Sequence, residues 1–279
     1  MTLDDLGLGS DVLVWQAVLL TLVSLVVGVL GGFVGLALGT MRLPALLLMG
    51  IAAPTAGGTN IMVSALASLT GAIRHLREGR VDRRIVLVMG APAFVGAFIG
   101  GFSSGLVSES LLIFLAGLLV FWQGIEFIVR VRPSLGPDAI SGAGSSGSLQ
   151  DSQGIYTRNR VLLQSGVGLG VGLLGGAVGL ILGSIRLPAL IRILRVDPRI
   201  AAGTNLFIGF FMGSVGWIGH AVQGQVNYPL LVLMGASAMV GSYYGAKLTG
   251  KVSLDTLVGV MGVVMLVVGA LLVWQAWRV

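Results

Sequence analysis

The chain contains no cysteine. That absence excludes disulfides, thiolate nucleophiles and thiolate-bound metals, although it does not fix a compartment. Charge is scarce as well: only 10% of the 279 residues are charged, against roughly 25% in soluble domains. A soluble fold of this composition would lack the polar surface to cover itself. The start, Met1-Thr2-Leu3-Asp4-Asp5, is acidic and is not the basic end of a secretory signal. Carboxylates are nearly missing from the apolar runs. Glu126 is the exception, and its spacing from Arg130 is that of an i,i+4 pair. No buried carboxylate pair is available for proton coupling. Hard cations want oxygen clusters and soft ones want thiolates, so a cation carrier is disfavoured. No acid/base or nucleophile constellation occurs at membrane depth, so the chain reads as a non-enzyme without cofactor or metal. The glycines form no P-loop pattern.

What is present is apolar length. Hydrophobic residues make up 55% of the chain, and mean hydropathy is +0.98. Apolar runs of about twenty residues recur, which is the signature of a polytopic all-α membrane protein. The net charge of +6 could suggest nucleic acid. Its arginines sit in short loops between apolar runs, however, where the positive-inside rule puts them.

The apolar sequence is duplicated. Residues 31–46 read GGFVGLALGTMRLPAL and residues 175–190 read GGAVGLILGSIRLPAL, identical at twelve of sixteen positions. The offset is 144 here and 145 further on, where Gly58-Thr59-Asn60 meets Gly203-Thr204-Asn205 and His75 meets His220. Gly79 then falls on Gly224, and Asp82 on Asn227. The first repeat is expected over 1–130, a flexible cytoplasmic Gly/Ser/Pro linker over 131–158, and the second repeat over 159–279. Each repeat reads as about five helical pieces. One of these, 43–53 or 187–196, is too short to span alone. The pattern leaves open whether these short pieces cross or re-enter.

Charge placement orients the repeats. The loop after the Thr-Asn helix holds five arginines in the first half (74–84) and none in the second (221–227). The loop before that helix is uncharged in the first half and carries Arg192, Arg195 and Arg199 in the second. With basic loops cytoplasmic, the halves are inverted and both termini lie outside. Inverted repeats with broken helices are a transporter architecture, with the substrate near midplane at the repeat interface.

The candidate substrate-binding residues are duplicated too. Arg42 and Arg186 each follow a glycine-rich run and precede Leu-Pro, where a helix should break. An ionisable residue in a membrane segment is a functional candidate, and a guanidinium forks onto sulfonate or carboxylate oxygens. The plainer alternative is a snorkelling anchor. Gly58, Thr59, Asn60 and their partners Gly203, Thr204, Asn205 are expected to open helices, where free N–H groups make an anion site. Simple capping is the alternative. His75 and His220, at the far ends of those helices, could carry protons or gate, although an interfacial histidine at a helix end is the plainer reading. Gly96, Gly100, Gly241 and Gly245 have the spacing of close helix packing, and a homodimer is plausible on that account. Trp15, Trp122, Trp274 and Trp277 fit an aromatic belt. Trp217 could line a path.

Three features in each half resemble the TauE/SafE family of sulfite exporter-like permeases. A glycine-rich helix runs into Leu-Pro, a Gly-Thr-Asn helix follows, and that helix ends in Gly79-Arg80-Val81-Asp82 or Gly224-Gln225-Val226-Asn227. The resemblance covers the chain outside the linker. It implies export of a small sulfur-containing anion, such as sulfite, sulfoacetate or another organosulfonate, across a bacterial inner membrane. Many members are more purely glycine and aliphatic where this chain has Arg42 and Arg186. If those arginines face the substrate, they favour a dianion such as sulfoacetate. A carrier for another small anion or carboxylate, or a non-transport scaffold, remains the alternative. The expected partners are the small anion and the lipid bilayer, with a second copy of the chain as the option that the helix-packing glycines offer.

Overall fold

The computed structural model describes residues 1–34, 38–131, 158–194, 196–248 and 254–278. Nearly all of the linker expected over 131–158 lies outside the described residues. The first half comprises α1 (Val14–Val34), α2 (Gly39–Leu48), α3 (Ala53–Arg77), α4 (Arg83–Leu106) and α5 (Glu109–Val131). The second half comprises α6 (Arg158–Val178), α7 (Gly183–Pro188), α8 (Pro198–Val222), α9 (Tyr228–Leu248) and α10 (Leu254–Ala276). Seven of the described helices are long and apolar enough to cross a bilayer. The molecule is a helical multi-pass membrane protein. No strand occurs among the described residues; Thr2 and Leu13 form one isolated bridge.

Local chemistry sets the helix ends. Asp197 caps α8 by accepting from the N–H groups of Arg199 and Ile200, and Pro198 takes the first turn, where no donor is needed. The start of α3 is capped from a distance: the Ala53 N–H donates to Glu109 at the head of α5, 2.8 Å away. Both helices close on the same glycine motif. Gly79 and Gly224 adopt φ of +70° and +69°. The next residues, Arg80 and Gln225, donate back to the His75 and His220 carbonyls at 2.8 and 2.9 Å. A residue with a Cβ would resist that left-handed turn.

Each half packs chiefly on the other, and the pairings exchange. α1 lies along α9 and α4 along α6; α3 meets α8, and α5 meets α10. Glycine makes these approaches possible. A Cβ on Gly28 or Gly32 of α1 would strike the backbone of Ala238 or Ser242 in α9. At the equivalent positions, Gly172 and Gly176 of α6 face Ala93 and Ala97 of α4. Gly96 and Gly100 likewise meet Leu169 and Leu173, as Gly241 and Gly245 meet Leu25 and Val29. α3 and α8 cross antiparallel, since Gly71 faces Leu206 while Gly216 faces Ile61. α5 and α10 are also antiparallel, with Gly117 against Gly269 and Gly124 against Gly262.

Candidate functional site

The short helices begin earlier than the sequence suggests. α2 starts at Gly39 and α7 at Gly183, so Arg42 and Arg186 are each the fourth residue of a short helix. The expected break at Arg-Leu-Pro is therefore corrected: the chain breaks before the arginine. In the second half the break is visible at Gly179, with φ +79°, followed by buried, non-helical Leu180–Leu182. Gly179 packs directly on Gly57 of α3. Pro188 stays inside α7, which widens into a π turn (Ala189–Ile193) immediately after it.

The Gly-Thr-Asn triplets are also displaced from the expectation. They lie in the second turns of α3 and α8, so the free N–H groups of the helix starts are not theirs. Their glycines and threonines face the opposite half. The Asn227 N–H donates to Thr59 Oγ1 at 3.0 Å, and the Asp82 N–H donates to Thr204 Oγ1 at 2.9 Å. A Cβ at Gly58 would run into the Gln225 carbonyl and His220; one at Gly203 would run into the Arg80 carbonyl and His75. Two equivalent clasps thus join the turn of one half to the helix of the other, one at each end of the α3–α8 pair.

The asparagines point inward. Asn60 Nδ2 donates to the carbonyls of Gly39 (3.1 Å) and Gly179 (2.9 Å), tying α2 to the break in the other half. Asn205 Oδ1 accepts from Arg186 Nε at 3.1 Å. Both guanidiniums are sealed: Arg42 is 1% exposed and Arg186 is 0% exposed, which excludes snorkelling. Arg42 Nη2 donates to Ser64 Oγ at 2.9 Å, while its Nε and Nη1 have no partner among the described residues. Arg186 Nη1 meets Met212 Sδ at 3.1 Å, and Nη2 reaches the Asn205 carbonyl at 3.5 Å. Neither arginine is among the ion pairs of the described residues. The two sides meet at the helix crossing: a Cβ on Gly209 would lie 3.5 Å from Arg186 Nη2 and 3.7 Å from Ser68 Oγ of α3.

His220 is buried, which corrects the interfacial reading for this residue. Nε2 sits 2.8 Å from the Gly176 carbonyl, and Nδ1 is 3.1 Å from both Ser104 Oγ and Gln225 Oε1. His75 is half-buried, and its Nδ1 lacks a partner among the described residues. Trp15, Trp122, Trp274 and Trp277 are exposed as a belt requires. The Trp217 indole N–H is buried without a partner among the described residues.

Sequence reasoning missed Ser64, Ser68 and Ser104, because serines in an apolar helix look like small packing residues. The i,i+4 spacing of Asn60, Ser64 and Ser68 was the available signal, since it places all three on one face of α3. Glu109 was missed because its partner is remote in sequence.

The family model for "Sulfite exporter TauE/SafE" matches residues 20–272. The "Probable membrane transporter protein YdhB" of Bacillus subtilis (strain 168) is 31% identical over 233 residues, covering 83% of this chain and 89% of that protein. The "Probable membrane transporter protein YunE" of the same organism is 24% identical over 271 residues, covering 92% and 97%. A "Probable membrane transporter protein" of Xylella fastidiosa (strain Temecula1 / ATCC 700964) is 24% identical over 270 residues, covering 92% and 98%. No solved structure matches the chain.

Proposed function

Because the chain belongs to the sulfite exporter TauE/SafE family, we propose that it is a secondary transporter exporting a small sulfur-containing anion. The substrate would be sulfite, sulfoacetate or another organosulfonate, moved across a bacterial inner membrane by alternating access. One observation carries the reading: two fully buried guanidiniums, unpaired with any carboxylate among the described residues, flank the crossing of α3 and α8. An arginine at the bilayer centre costs roughly 2.5–3.5 kcal/mol on insertion scales. Two together cost about 5–7 kcal/mol, comparable to the 5–15 kcal/mol net stability of a typical domain. An anion that enters with its own negative charge offsets that cost.

The site residues are Arg42, Arg186, Asn60 and Asn205, whose side chains surround the crossing. Gly58, Thr59, Gly203 and Thr204 serve the site through the clasps, which seal its two ends. All these residues are buried, so a substrate reaches the arginines only when one clasp opens. His75 and His220 stand at the clasps and are the gating residues. Several features support inverted topology. α3 and α8, equivalent helices, cross antiparallel. The α3–α8 clasp at one end gathers the 74–84 loop and Arg199, and the opposite clasp carries no charged residue between 221 and 227.

The test is binding of an anion panel to the purified full chain: sulfite, sulfate, sulfoacetate, taurine, acetate and phosphate. Saturable binding of a sulfur oxyanion, lost in a folded Arg42→Ala/Arg186→Ala variant, is expected. No binding by the wild type, or binding untouched by the double substitution, overturns the reading.

A further inference from the structure

The two arginines are equivalent in sequence but not in their surroundings. Arg186 has a partner on each nitrogen, all from its own half: Asn205 Oδ1, Met212 Sδ and the Asn205 carbonyl. Arg42 has one partner, Ser64 Oγ. Its Nε and Nη1 are orphaned, and so is Asn60 Oδ1, the counterpart of the oxygen that Arg186 uses. Three of the eight buried side-chain polar atoms left unpartnered among the described residues therefore belong to one Arg–Asn pair. They share one locality. The Gly39 carbonyl binds Asn60, and a Cβ on Gly39 would collide with Ser64 Oγ, the group that holds Arg42.

Two residue differences accompany the asymmetry: Ala67 stands where the second half has Met212, the partner of Arg186 Nη1, and position 64 differs as well. Position 64 is serine, and its equivalent, 209, is glycine. The Ser64 hydroxyl draws Nη2 toward α3, and the Nε–Oδ1 bond that closes in the second half stays open in the first. Asn60 cannot satisfy its oxygen by flipping, because Nδ2 is fixed on two carbonyls and a flip would set oxygen against oxygen. Ser64 can take only one of the two Nη2 hydrogens. The other hydrogen completes a two-pronged fork with Nε or with Nη1. Buried orphans of this kind are rare and call for an absent partner.

Resting on the transport reading above, we propose that the anion is held asymmetrically, by Arg42 and Asn60 of the first half, with Asn60 Oδ1 accepting a hydrogen bond from the ligand itself. The site then takes a small oxyanion that carries its own O–H or N–H donor, such as a singly protonated sulfite or a hydroxyalkanesulfonate. Fully ionised sulfoacetate has no donor and is disfavoured. Arg186 is a positioning residue, locked onto Asn205.

The test compares ethanesulfonate with 2-hydroxyethanesulfonate by calorimetry on the full chain in nanodiscs. The wild type is expected to bind the hydroxylated probe at least about tenfold more tightly, as a buried acceptor left unpaired by the other probe requires. Ser64→Ala frees Nη2 and lets Arg42 close on Asn60; it should weaken binding and erase the preference. Met212→Leu removes a partner of Arg186 and should leave both affinities in place. Equal affinity of the two probes for the wild type overturns the proposal without any variant having to fold. So does a Met212→Leu effect as large as that of Ser64→Ala. Either outcome leaves anion transport standing. Failure of every anion to bind removes the transport reading as well, and the proposal falls with it.

Discussion

At the residue scale, the buried amides hold the broken backbone. Asn60 Nδ2 satisfies two carbonyls at the interrupted helices, and unwound backbone in a membrane protein survives only where such groups are answered. Asn60→Leu strands the Gly179 carbonyl, which lies outside the helices, while the Gly39 carbonyl opens α2 and keeps its intrahelical role; a loss of about 1–3 kcal/mol is expected, the cost of one buried unsatisfied group. A detergent melt of the purified variant checks this, and an unchanged melt would make the amide dispensable to the fold. Gly203→Ala is expected to fail for a different reason. Its Cβ would meet the Arg80 carbonyl, which is backbone and cannot rotate away. Overpacking of this kind costs about 1–3 kcal/mol. The same melt should therefore show a loss for Gly203→Ala but not for Gly50→Asn. Gly50 lies in open space at φ +81°, a conformation that asparagine tolerates.

At the element scale, the unit is the clasp: a glycine-closed helix end from one half, seated on the second turn of a helix from the other. The two clasps share a pattern but differ in content. The one at Thr59 adds buried His220 with Ser104 and Gln225, and Asn227 Nδ2 also donates to Ser10 at 2.8 Å. The one at Thr204 has half-buried His75 and an exposed set of ion pairs, Arg74 and Arg80 on Glu78. Exposed, solvent-screened pairs of this sort add little, so the Thr204 clasp is the weaker. Thr204→Val leaves the Asp82 N–H unpaired, at a cost of about 1–3 kcal/mol. It is expected to raise thiol labelling of a single cysteine placed at Ser68 by about tenfold; Thr59→Val, at the better-bonded clasp, should raise it less. The reverse order would show that the Thr59 clasp opens first.

This scale also shows what the sequence made legible. The helical multi-pass fold and the close helix contacts of Gly96, Gly100, Gly241 and Gly245 followed from the apolar pattern, whereas the short pieces expected at 43–53 and 187–196 lie at Gly39–Leu48 and Gly183–Pro188. The roles within Gly-Thr-Asn did not follow from it. Pattern marks the three residues as one motif, yet they lie at successive 100° steps around a helix. Gly58 and Thr59 therefore face the opposite half, while Asn60 reaches the arginine region. The break before Arg42 was hidden as well, because glycine-rich apolar sequence permits a helix and an unwound segment equally. Proline drew the expected boundary a few residues too late.

At the scale of the whole molecule, the loop arginines that precede α8, and those that follow α3 and open α6, gather at one end, while Arg278 lies at the other. α3 ends where α8 begins, so the five arginines of 74–84 lie beside Arg199. α6 runs parallel to α4, which puts Arg158 and Arg160 at the same end as Arg83 and Arg84. The opposite end holds the uncharged 223–227 turn and the N-terminal segment that packs on it through Ser10. A positive-inside orientation then places equivalent turns of the two halves on opposite faces of the membrane. Glu78 and Gln223 are equivalent, exposed, and each immediately precedes its turn glycine. The cysteine-free chain makes single-cysteine probes clean at both. An impermeant maleimide applied to intact cells should label Gln223→Cys at once. It should label Glu78→Cys only after permeabilisation, and losing the Glu78 pairs should leave the fold intact at this exposure. Labelling of both from the same face would mean that the halves are not inverted. The axis relating them would then have to run along the membrane normal. The antiparallel crossing of α3 and α8 speaks against that, because equivalent helices related by such an axis would run parallel.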